Sequence, residues 1–376
     1  MSNVYITNTS AYLPHEPVKN DEIESVLGMV GGKPSRARRI VLRNNGIVAR
    51  HYAIDRATGM PSMSNAQLTA KAILALNVQG AVDVLVTGTS SPDQILPNHG
   101  VMVHGELGWD ALEVVSTAGI CLAGASALKY AFLAVKAGEA KRAVAAGSER
   151  ASPQFMARQF EAESEQKIKA LEARPELAFE KDFLRWMLSD GAGAVLLEDQ
   201  PRGPLSLKIQ WIELFSYAHL LPACMYSGAE KNSDGVLTGW ADFSPNQCVD
   251  QSIFAVKQDV RLLNENVIRL TVGEPIKAIQ AKYGLSGEDV DWFLPHYSSM
   301  YFAEPVAQQL TDVGFTIAPD KWFTNLTTCG NTGSASPYIM LNELFHSGKL
   351  QKGQKILMYI PESGRFSSGF VYLEVV

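Results

Sequence analysis

Two pairs of matching segments decide the fold of this chain. The stretch Val82-Asp83-Val84-Leu85-Val86-Thr87-Gly88-Thr89-Ser90-Ser91 is matched by Val290-Asp291-Trp292-Phe293-Leu294-Pro295-His296-Tyr297-Ser298-Ser299, and each predicts a buried strand that ends in a Ser-Ser loop. Further along, Cys121-Leu122-Ala123-Gly124-Ala125-Ser126 is matched by Asn331-Thr332-Gly333-Ser334-Ala335-Ser336, and each predicts a helix start. The copies lie 208 residues apart for the strands (82 to 290) and 210 for the helices (121 to 331). Such self-similarity indicates one supersecondary unit used twice.

The repeat predicts where three reactive side chains meet. If the two units pack about a pseudo-twofold axis, the helix starts at Cys121 and Asn331 face each other, and His296 lies on a loop beside them. A thiol, an imidazole and an amide in one buried place are the parts of an acyl-transfer site. The sequence therefore predicts an enzyme that carries an acyl group on Cys121.

Each of these residues also has an ordinary structural interpretation. Most cysteines only pack, but Cys121 lies at a helix start, where unpaired N–H groups and the helix dipole stabilise a thiolate. A lone histidine is usually structural, yet the repeat equivalent of His296 is Gly88, so only one copy carries a titratable side chain. Asn331 could serve only as a helix cap. The other cysteines lack such a setting and are interpreted as structural; they are Cys224, Cys248 and Cys329.

The bulk composition excludes several other functions. The chain has 376 residues, 46% of them hydrophobic, and a formal net charge of −6, which gives no support for binding nucleic acid or an anionic membrane. No signal peptide, membrane-spanning run or phosphate-binding glycine loop is evident, and the four cysteines lack zinc-site spacing. We therefore expect a cytoplasmic protein with no metal, no permanently bound cofactor and no membrane insertion.

Strands alternate with helices along most of the chain, which predicts an α/β fold with a largely parallel, buried sheet. Residues 1–200 are expected to form an N-terminal half with a cap insertion around 151–185. Residues 201–376 are expected to form a C-terminal half with a loop-rich insertion around 215–246. Strands are predicted at 3–8, 82–88, 112–117, 141–148, 191–197, 354–360 and 368–375. Helices are predicted at 64–76, 121–137, 159–182 and 250–282, with a further short helix that ends at residue 27. An exposed loop is predicted at 29–39.

Several of these motifs together resemble the type III β-ketoacyl-acyl-carrier-protein synthases of the thiolase superfamily, over nearly the whole length. The nucleophile motif is Ser116-Thr117-Ala118-Gly119-Ile120-Cys121-Leu122-Ala123-Gly124, and Leu294-Pro295-His296 is the histidine motif. The asparagine motif is Gly330-Asn331-Thr332-Gly333-Ser334-Ala335-Ser336. Two further stretches correspond to the family's glycine-rich segments, Ser189-Asp190-Gly191-Ala192-Gly193-Ala194 and Ser363-Gly364-Arg365-Phe366-Ser367-Ser368-Gly369.

The resemblance implies a five-layered αβαβα thiolase fold and a catalytic triad of Cys121, His296 and Asn331. It also implies a homodimer whose subunits pair along strand 141–148, which we expect to be an edge of the sheet. It also implies an oxyanion hole from the backbone N–H groups of Cys121 and Gly364. The implied reaction is a Claisen condensation, decarboxylative or not, between an acyl group loaded on the cysteine and a malonyl or β-ketoacyl thioester of acyl carrier protein. Two alternatives stay open: an acyltransferase that passes the acyl group to a hydroxyl or amine, and a subunit of a heterodimeric synthase.

The departures from the family bear on the substrates. Tyr297-Ser298-Ser299 replaces a Gln-Ala-Asn stretch, and a tryptophan that holds the adenine of coenzyme A is missing near Arg39 and Ile40. We therefore expect phosphopantetheine thioesters of acyl carrier protein to be preferred over coenzyme A, with an entrance formed by Arg36, Arg38, Arg39 and Arg43. Arg43, Arg365 and Phe366 are candidate substrate-binding residues. Glu362 and Arg365 bring charges into a loop that is normally glycine-rich. The long loop 28–39 and the stretch Asn20-Asp21-Glu22-Ile23-Glu24 resemble the branch that makes dialkylresorcinols and cyclohexanediones.

Overall fold

The structure is a computed structural model that describes residues 2–35, 38–159 and 184–376. Most of the predicted cap insertion around 151–185, nearly all of the predicted helix 159–182, and Arg36 lie outside these residues. Within them, no helix is long and apolar enough to cross a membrane.

Strands and helices alternate as the sequence predicts. The helices are α1 (Ile23–Leu27), α2 (Arg38–Asn45), α3 (Asn65–Ala75), α4 (His99–Leu107), α5 (Leu122–Ala137), α6 (Pro245–Asp250), α7 (Val260–Ile268), α8 (Glu274–Tyr283), α9 (Ala303–Asp312), α10 (Leu326–Cys329) and α11 (Ser336–Phe345). The strands are β1 (Tyr5–Tyr12), β2 (Val18–Lys19), β3 (Ala49–Arg50), β4 (Val84–Thr89), β5 (Glu113–Ala118), β6 (Arg142–Glu149), β7 (Gly191–Glu198), β8 (Leu207–Ser216), β9 (Met225–Tyr226), β10 (Ala229–Lys231), β11 (Leu237–Gly239), β12 (Lys257–Gln258), β13 (Trp292–Pro295), β14 (Lys355–Glu362) and β15 (Ser367–Val375).

Nine of these strands form one hydrogen-bonded sheet in the order β13-β14-β15-β8-β1-β7-β6-β4-β5. In the first half, β4 is parallel to β5 and β6, and then β7 and β1 follow as antiparallel neighbours. In the second half, β13 is parallel to β14, and then β15 and β8 follow as antiparallel neighbours. The same order therefore occurs twice, and the halves join through two residue pairs between β1 and β8.

The helices lie in three layers around the two halves of the sheet. Helix α5 contacts β4 and β6 of the first half as well as β14 and β15 of the second. Helix α11 contacts β1 and β7 on one side and β13 on the other. Helices α3 and α4 cover the outer face of the first half, and the π-helical turn Arg269–Gly273 contacts β14 and β15 of the second. This is the five-layered αβαβα arrangement of the thiolase fold.

Most of the predicted elements are confirmed to within a few residues. Helix α3 begins with the capping box expected at Ser64 and Gln67: the serine side chain accepts the N–H of Gln67, whose own side chain accepts the N–H of Ser64. The expectation of a largely parallel sheet is wrong, because the sheet is mixed. One reason is local: the short connection 363–366 between β14 and β15 can join only antiparallel neighbours.

Three other expectations also need correction. The predicted helix 250–282 does not start at 250: Ser252 has φ 49°, outside the helical region, and Lys257–Gln258 pairs with β9. Helix α7 begins only after Asp259, whose side chain accepts the N–H of Leu262. The segment 29–39 is not entirely loop, because α2 begins at Arg38. The edge of the first half-sheet is β5, whereas β6 is paired on both sides.

The two half-units meet through backbone contacts that leave no room for a Cβ atom. A Cβ atom on Gly124 of α5 or on Gly147 of β6 would lie 2.3 Å from the carbonyl oxygen of Ser334. The hydroxyl of Ser334 donates to Glu149 at 2.7 Å, and Tyr338 donates to the carbonyl of Gly124 at 2.8 Å. These contacts fix the segment after Asn331 against the helix that follows Cys121.

We expect Gly147→Ala to destabilise the protein, because the added methyl meets backbone that cannot rotate away. Overpacking of this kind costs about 1–3 kcal/mol. The matched control is Gly105→Ala on helix α4, where a Cβ atom meets nothing within 4 Å. The control should be neutral or slightly stabilising, because alanine favours a helix over glycine by about 1 kcal/mol. Thermal unfolding of both variants checks this, and equal stability would contradict the close approach of the two half-units.

Candidate active site

Cys121 immediately precedes helix α5 and lines a cavity of about 450 Å³. Its side chain is half-buried, and its backbone already has helical dihedral angles (φ −62°, ψ −27°). Burial, and next the carboxylates of Glu362 and Glu149, raise the pKa of the Cys121 thiol above its ordinary range. The expectation of a thiolate stabilised by the helix start is therefore wrong. The positive end of this helix is occupied by the Glu362 carboxylate, which accepts the N–H groups of Ile120 and Leu122.

His296 follows β13 directly and lines the same cavity. Its backbone N–H donates to the carbonyl of Tyr359 on β14 at 2.8 Å, which fixes the residue at the end of the parallel strand pair. The imidazole is 2% exposed, and its Nε2 has no hydrogen-bond partner among the described residues. Burial lowers the pKa of His296 to about 4, so the ring is neutral at pH 7.

Asn331 is fixed to the neighbouring segment by its main chain. Its N–H donates to the carbonyl of Met187 at 3.0 Å, and its carbonyl accepts the N–H of Ser189 at 2.9 Å. The preceding Gly330 has φ 71°, and a Cβ atom there would lie 2.9 Å from the Cβ of Ser189. The Oδ1 atom of Asn331 accepts the N–H of Gly333 at 2.9 Å, which leaves the amide nitrogen as the donor available to the cavity.

The Ser189-Asp190 stretch supports Asn331 from behind. The hydroxyl of Ser189 accepts the N–H of His51 at 2.8 Å. The buried carboxylate of Asp190 accepts the N–H groups of Ala53 at 2.6 Å and Ser152 at 2.9 Å. The Ser189-Asp190 stretch therefore contributes by holding the backbone of Asn331 in place. Ser189 also lines the cavity, whereas Asp190 does not.

The structure thus brings Cys121, His296 and Asn331 to one cavity, as the repeat predicts. The expected oxyanion hole from the N–H groups of Cys121 and Gly364 stays a prediction, because Cys121 lines the cavity and Gly364 does not. The carbonyl of Gly364 accepts the N–H of Cys224 at 2.7 Å, but no hydrogen bond among the described residues uses the N–H of Gly364 or of Cys121. A Cβ atom on Gly364 would lie 2.6 Å from Cδ1 of Ile120, so Gly364 lies directly against the residue before Cys121.

The three candidate substrate-binding residues do not line this cavity. Phe366 has φ 55° and is fully buried in a cluster with Leu263 and Val267, so it supports the cavity wall from behind. Arg365 is exposed, and its Nε donates to the carbonyl of Leu221 at 3.0 Å. Arg43 is exposed on α2. The positive φ at Phe366 turns its ring away from the site, which sequence spacing alone did not indicate.

The sequence did not indicate the roles of Glu149 and Glu362, nor which side chains form the apolar wall of the cavity. Glu149 ends β6 inside the cavity, where it accepts from Ser90, Ser91 and Ser334, and burial raises its pKa. The Ser-Ser loop of the repeat was the available signal for this acid. Side chains from distant parts of the chain form the wall, among them Phe155, Met187, Leu263, Val267, Phe302 and Val306. A largely apolar cavity of this size is typical of a small-molecule site.

The lowered pKa of His296 predicts acid sensitivity of the fold. A histidine with a folded pKa near 4 and an unfolded pKa near 6.5 stabilises the folded state fully above pH 6.5. This contribution is lost as the pH falls from about 6.5 toward 4, and it amounts to on the order of 3 kcal/mol. In His296→Asn, the unfolding temperature should therefore fall less between pH 6.5 and pH 4 than it does in the wild type. Part of the fall should remain, because the pKa of His99 is also lowered to about 4. The exposed His219→Asn serves as control, and identical pH profiles for both variants would contradict a neutral His296.

Comparisons with known proteins agree with this geometry. The sequence profile for the C-terminal region of 3-oxoacyl-[acyl-carrier-protein] synthase III matches residues 280–371. A β-ketoacyl-[acyl-carrier-protein] synthase III of Xanthomonas oryzae pv. oryzae is 24% identical over 98% of this chain and 95% of its own. The corresponding protein of Xanthomonas campestris pv. campestris is 25% identical over the same shares.

Solved structures share the fold at lower identity. The tetronic acid condensing enzyme AbyA1 is 19% identical, with a TM-score of 0.76 over 99% of both chains. Xanthomonas campestris OleA, in a structure with bound lauric acid and lauroyl-CoA, is 20% identical, with a TM-score of 0.72 over 99% of both chains. The chain is therefore similar over 98% of its length to β-ketoacyl-[acyl-carrier-protein] synthase III proteins, and its residues 280–371 match the C-terminal region of that family.

Proposed function

We propose that this protein forms a carbon–carbon bond by Claisen condensation of an acyl group carried on Cys121 with a second acyl thioester. The observation that carries the proposal is the convergence of Cys121, His296 and Asn331 on one largely apolar cavity. The candidate oxyanion donors are the backbone N–H groups of Cys121, which lines the cavity, and of Gly364, which lies against the residue before Cys121. Donors on both sides allow two separate oxyanions to be stabilised in sequence.

In the first half-reaction, the sulfur of Cys121 attacks the carbonyl carbon of an acyl thioester. The N–H groups of Cys121 and Gly364 donate to the oxygen as negative charge develops on it. Each donor acts without reorganisation, because the backbone around it is already fixed; loss of one such donor typically raises a barrier by about 3–4 kcal/mol. Collapse of the intermediate expels the carrier thiol and leaves the acyl group on Cys121.

In the second half-reaction, His296 and Asn331 hold the thioester oxygen of the second substrate while its enolate forms. A neutral imidazole donates through Nε2 when the proton is on that nitrogen, and Nε2 of His296 is buried with no hydrogen-bond partner among the described residues. Asn331 donates its amide N–H, because its Oδ1 is engaged by Gly333. The enolate carbon then attacks the acyl carbonyl, and the product leaves Cys121 free.

The apolar wall supports an acyl chain as the group carried on Cys121. The OleA structure with lauric acid and lauroyl-CoA shows that a related fold holds a twelve-carbon chain of this kind. AbyA1, named as a tetronic acid condensing enzyme, uses the same fold for a product outside ordinary fatty acids. We propose a β-ketoacyl or polyketide-type product, with the dialkylresorcinol and cyclohexanedione branch as the specific candidate, on the resemblance of the stretch 20–39.

The geometry favours condensation over the two alternatives. A simple acyltransferase would not need the amide N–H of Asn331, which is free to hold an enolate oxygen because its Oδ1 is engaged by Gly333. A non-catalytic subunit of a heterodimer would not need a cysteine that lines the cavity with His296 and Asn331. Both alternatives therefore leave features of this site unused.

Three further parts of the proposal concern the surroundings of the enzyme. The edge strand β5 is half-buried and unpaired on its outer side within the described chain, and we propose that it pairs with a second copy in a homodimer. All four cysteines are free, which supports a reducing, cytoplasmic setting. Acyl carrier protein is proposed as the donor of both thioesters, without a permanently bound cofactor.

Substitution of the triad should separate the two half-reactions. Cys121→Ala is expected to abolish the mass gain that an acyl thioester produces in intact-protein mass spectrometry. His296→Ala and Asn331→Ala should still load the acyl group but condense it about 100-fold more slowly or worse, because both act on the enolate. Cys329→Ala, another buried cysteine, is the matched control and should load normally. Loading that survives in Cys121→Ala and is lost in the control would refute the assignment.

The donor preference should depend on charge at helix α2. Of the four arginines in the proposed entrance, Arg38 is paired with Glu24 at 2.9 Å, whereas Arg39 and Arg43 are exposed one turn apart. We expect Arg39→Ala with Arg43→Ala to lower kcat/KM severalfold for carrier-protein thioesters and to leave coenzyme A thioesters unchanged, with a smaller difference at high salt. Lys349→Ala is the control, because Lys349 is exposed and follows the C-terminal end of α11, which is remote from Asn331. Equal kcat/KM on both carriers, or no salt dependence, would reject this entrance.

A further inference from the structure

Glu362 is the last residue of β14, and both of its neighbours in the sequence line the cavity. Its carboxylate turns toward the start of helix α5. There its Oε2 accepts the backbone N–H of Ile120 at 2.8 Å and of Leu122 at 3.0 Å. The carboxylate therefore lies against the two peptide groups that flank Cys121.

Helix capping accounts for one oxygen of this carboxylate but not for the other. No hydrogen bond among the described residues uses Oε1 of Glu362, so its lone pairs are available to a proton. The second acid at the site differs, because both oxygens of Glu149 accept from serines: Oε1 from Ser334 at 2.7 Å, and Oε2 from Ser90 at 2.7 Å and Ser91 at 2.8 Å. Glu362 is thus the acid beside the nucleophile that has a free acceptor atom.

The charges around the cavity also limit the second substrate. Glu149 lines the cavity, and no lysine or arginine lines it in the part of the chain that the structure describes. Arg365 is the cation nearest to Glu362 in the sequence, but it is exposed and donates to the carbonyl of Leu221. A substrate with a carboxylate on its reacting carbon would bring a negative charge close to these acids with no cation lining the cavity to neutralise it, which disfavours that substrate.

We propose that Glu362 accepts protons in both half-reactions, and that the second substrate is a β-ketoacyl thioester that loses an α-proton rather than CO₂. This proposal rests on the condensing function proposed above and names its substrate class. A carboxylate is a weak base, and a C–H group between two carbonyls is the most acidic α-position that an acyl thioester offers. Such a weak base can remove only a strongly acidified proton, and this class of substrate offers one.

Glu362 accepts one proton and returns it in each half-reaction. During loading, the Cys121 thiol gives its proton to Glu362, its sulfur bonds to the acyl carbon, and the carrier thiolate leaves and takes the proton from Glu362. During condensation, Glu362 takes the α-proton, and the C–H electrons form the enolate held by His296 and Asn331. The new C–C bond forms, the acyl C–S bond breaks, and the Cys121 thiolate recovers the proton from Glu362. No oxidant, reductant or further reactant is needed.

Glu362→Gln tests this proposal, because the amide oxygen can still accept the two backbone N–H groups while the charge and the base are removed. The enzyme is first loaded with an octanoyl group, and the octanoyl-enzyme is quantified by intact-protein mass spectrometry. Either a β-ketooctanoyl or a malonyl thioester of pantetheine is then added, and loss of octanoyl-enzyme and release of CO₂ are followed. Glu106→Gln, exposed on helix α4, is the matched control.

We expect the wild-type enzyme to react faster with the β-ketoacyl thioester and to release no CO₂ from it. Glu362→Gln should lower this rate by about 100-fold or more. Loading of Glu362→Gln should also slow, so both rates are counted from octanoyl-enzyme that has already formed. The rate with the malonyl thioester should then fall far less, because loss of CO₂ generates the enolate without a base. A residue that only caps the helix would change both rates together, so reversal of the preference is the supporting result.

Three results would overturn the proposal: equal slowing of both reactions in Glu362→Gln, no slowing of either, or a wild-type preference for the malonyl thioester. If Glu362→Gln does not fold, Glu362→Asp decides, because a shorter carboxylate should slow the β-ketoacyl reaction selectively. Failure of the condensing function itself has a different outcome, in which the wild-type enzyme takes up no acyl group on Cys121 or gives no C–C product with either thioester. The Glu106→Gln control should match the wild type with both substrates.

Discussion

The geometry of the active site depends on a close backbone contact between the two half-units, which two glycines make possible. Gly124 and Gly147 bring α5 and β6 so close to the carbonyl oxygen of Ser334 that a single methyl group would not fit. Because this contact is made by backbone atoms, it cannot adjust by rotation of a side chain. It fixes the distance between the segment that carries Cys121 and the segment that carries Asn331. The pseudo-twofold order of the strands then brings the end of β13, and with it His296, to the same cavity.

The charge states of the side chains around the cavity depend more on their burial than on ion pairs. His296 is neutral because water is excluded from it, and it has no acidic partner in the described chain that would restore its charge. Glu149 is held by serine hydroxyls rather than by a cation. The thiol of Cys121 stays protonated between two carboxylates. Such a site is suited to reactions in which charge appears only transiently, on oxygen atoms that meet fixed N–H donors.

The same arrangement explains how a glutamate is accommodated beside the nucleophile. The start of helix α5 has unpaired N–H groups, and an acid that accepts two of them is stabilised there. The thiol of Cys121 consequently loses the helix end that would have favoured its ionised form. A group that takes its proton is therefore required before the sulfur can attack, which ties the unusual acid to the nucleophile that it flanks.

The sequence by itself determined the repeat, the order of most strands and helices, and the three residues that meet in the cavity. It did so because self-similarity, helix starts and apolar periodicity are local signals, and two copies of one unit imply their own symmetry. Only the tertiary structure decided that the sheet is mixed, that helix 250–282 begins after a turn and a short strand, and that β5 is the edge. It also decided that Phe366 faces the core and that Glu362 reaches the residues around Cys121, 242 positions away from Ile120. Those outcomes depend on contacts between segments far apart in the chain, which leave no periodic pattern in the sequence.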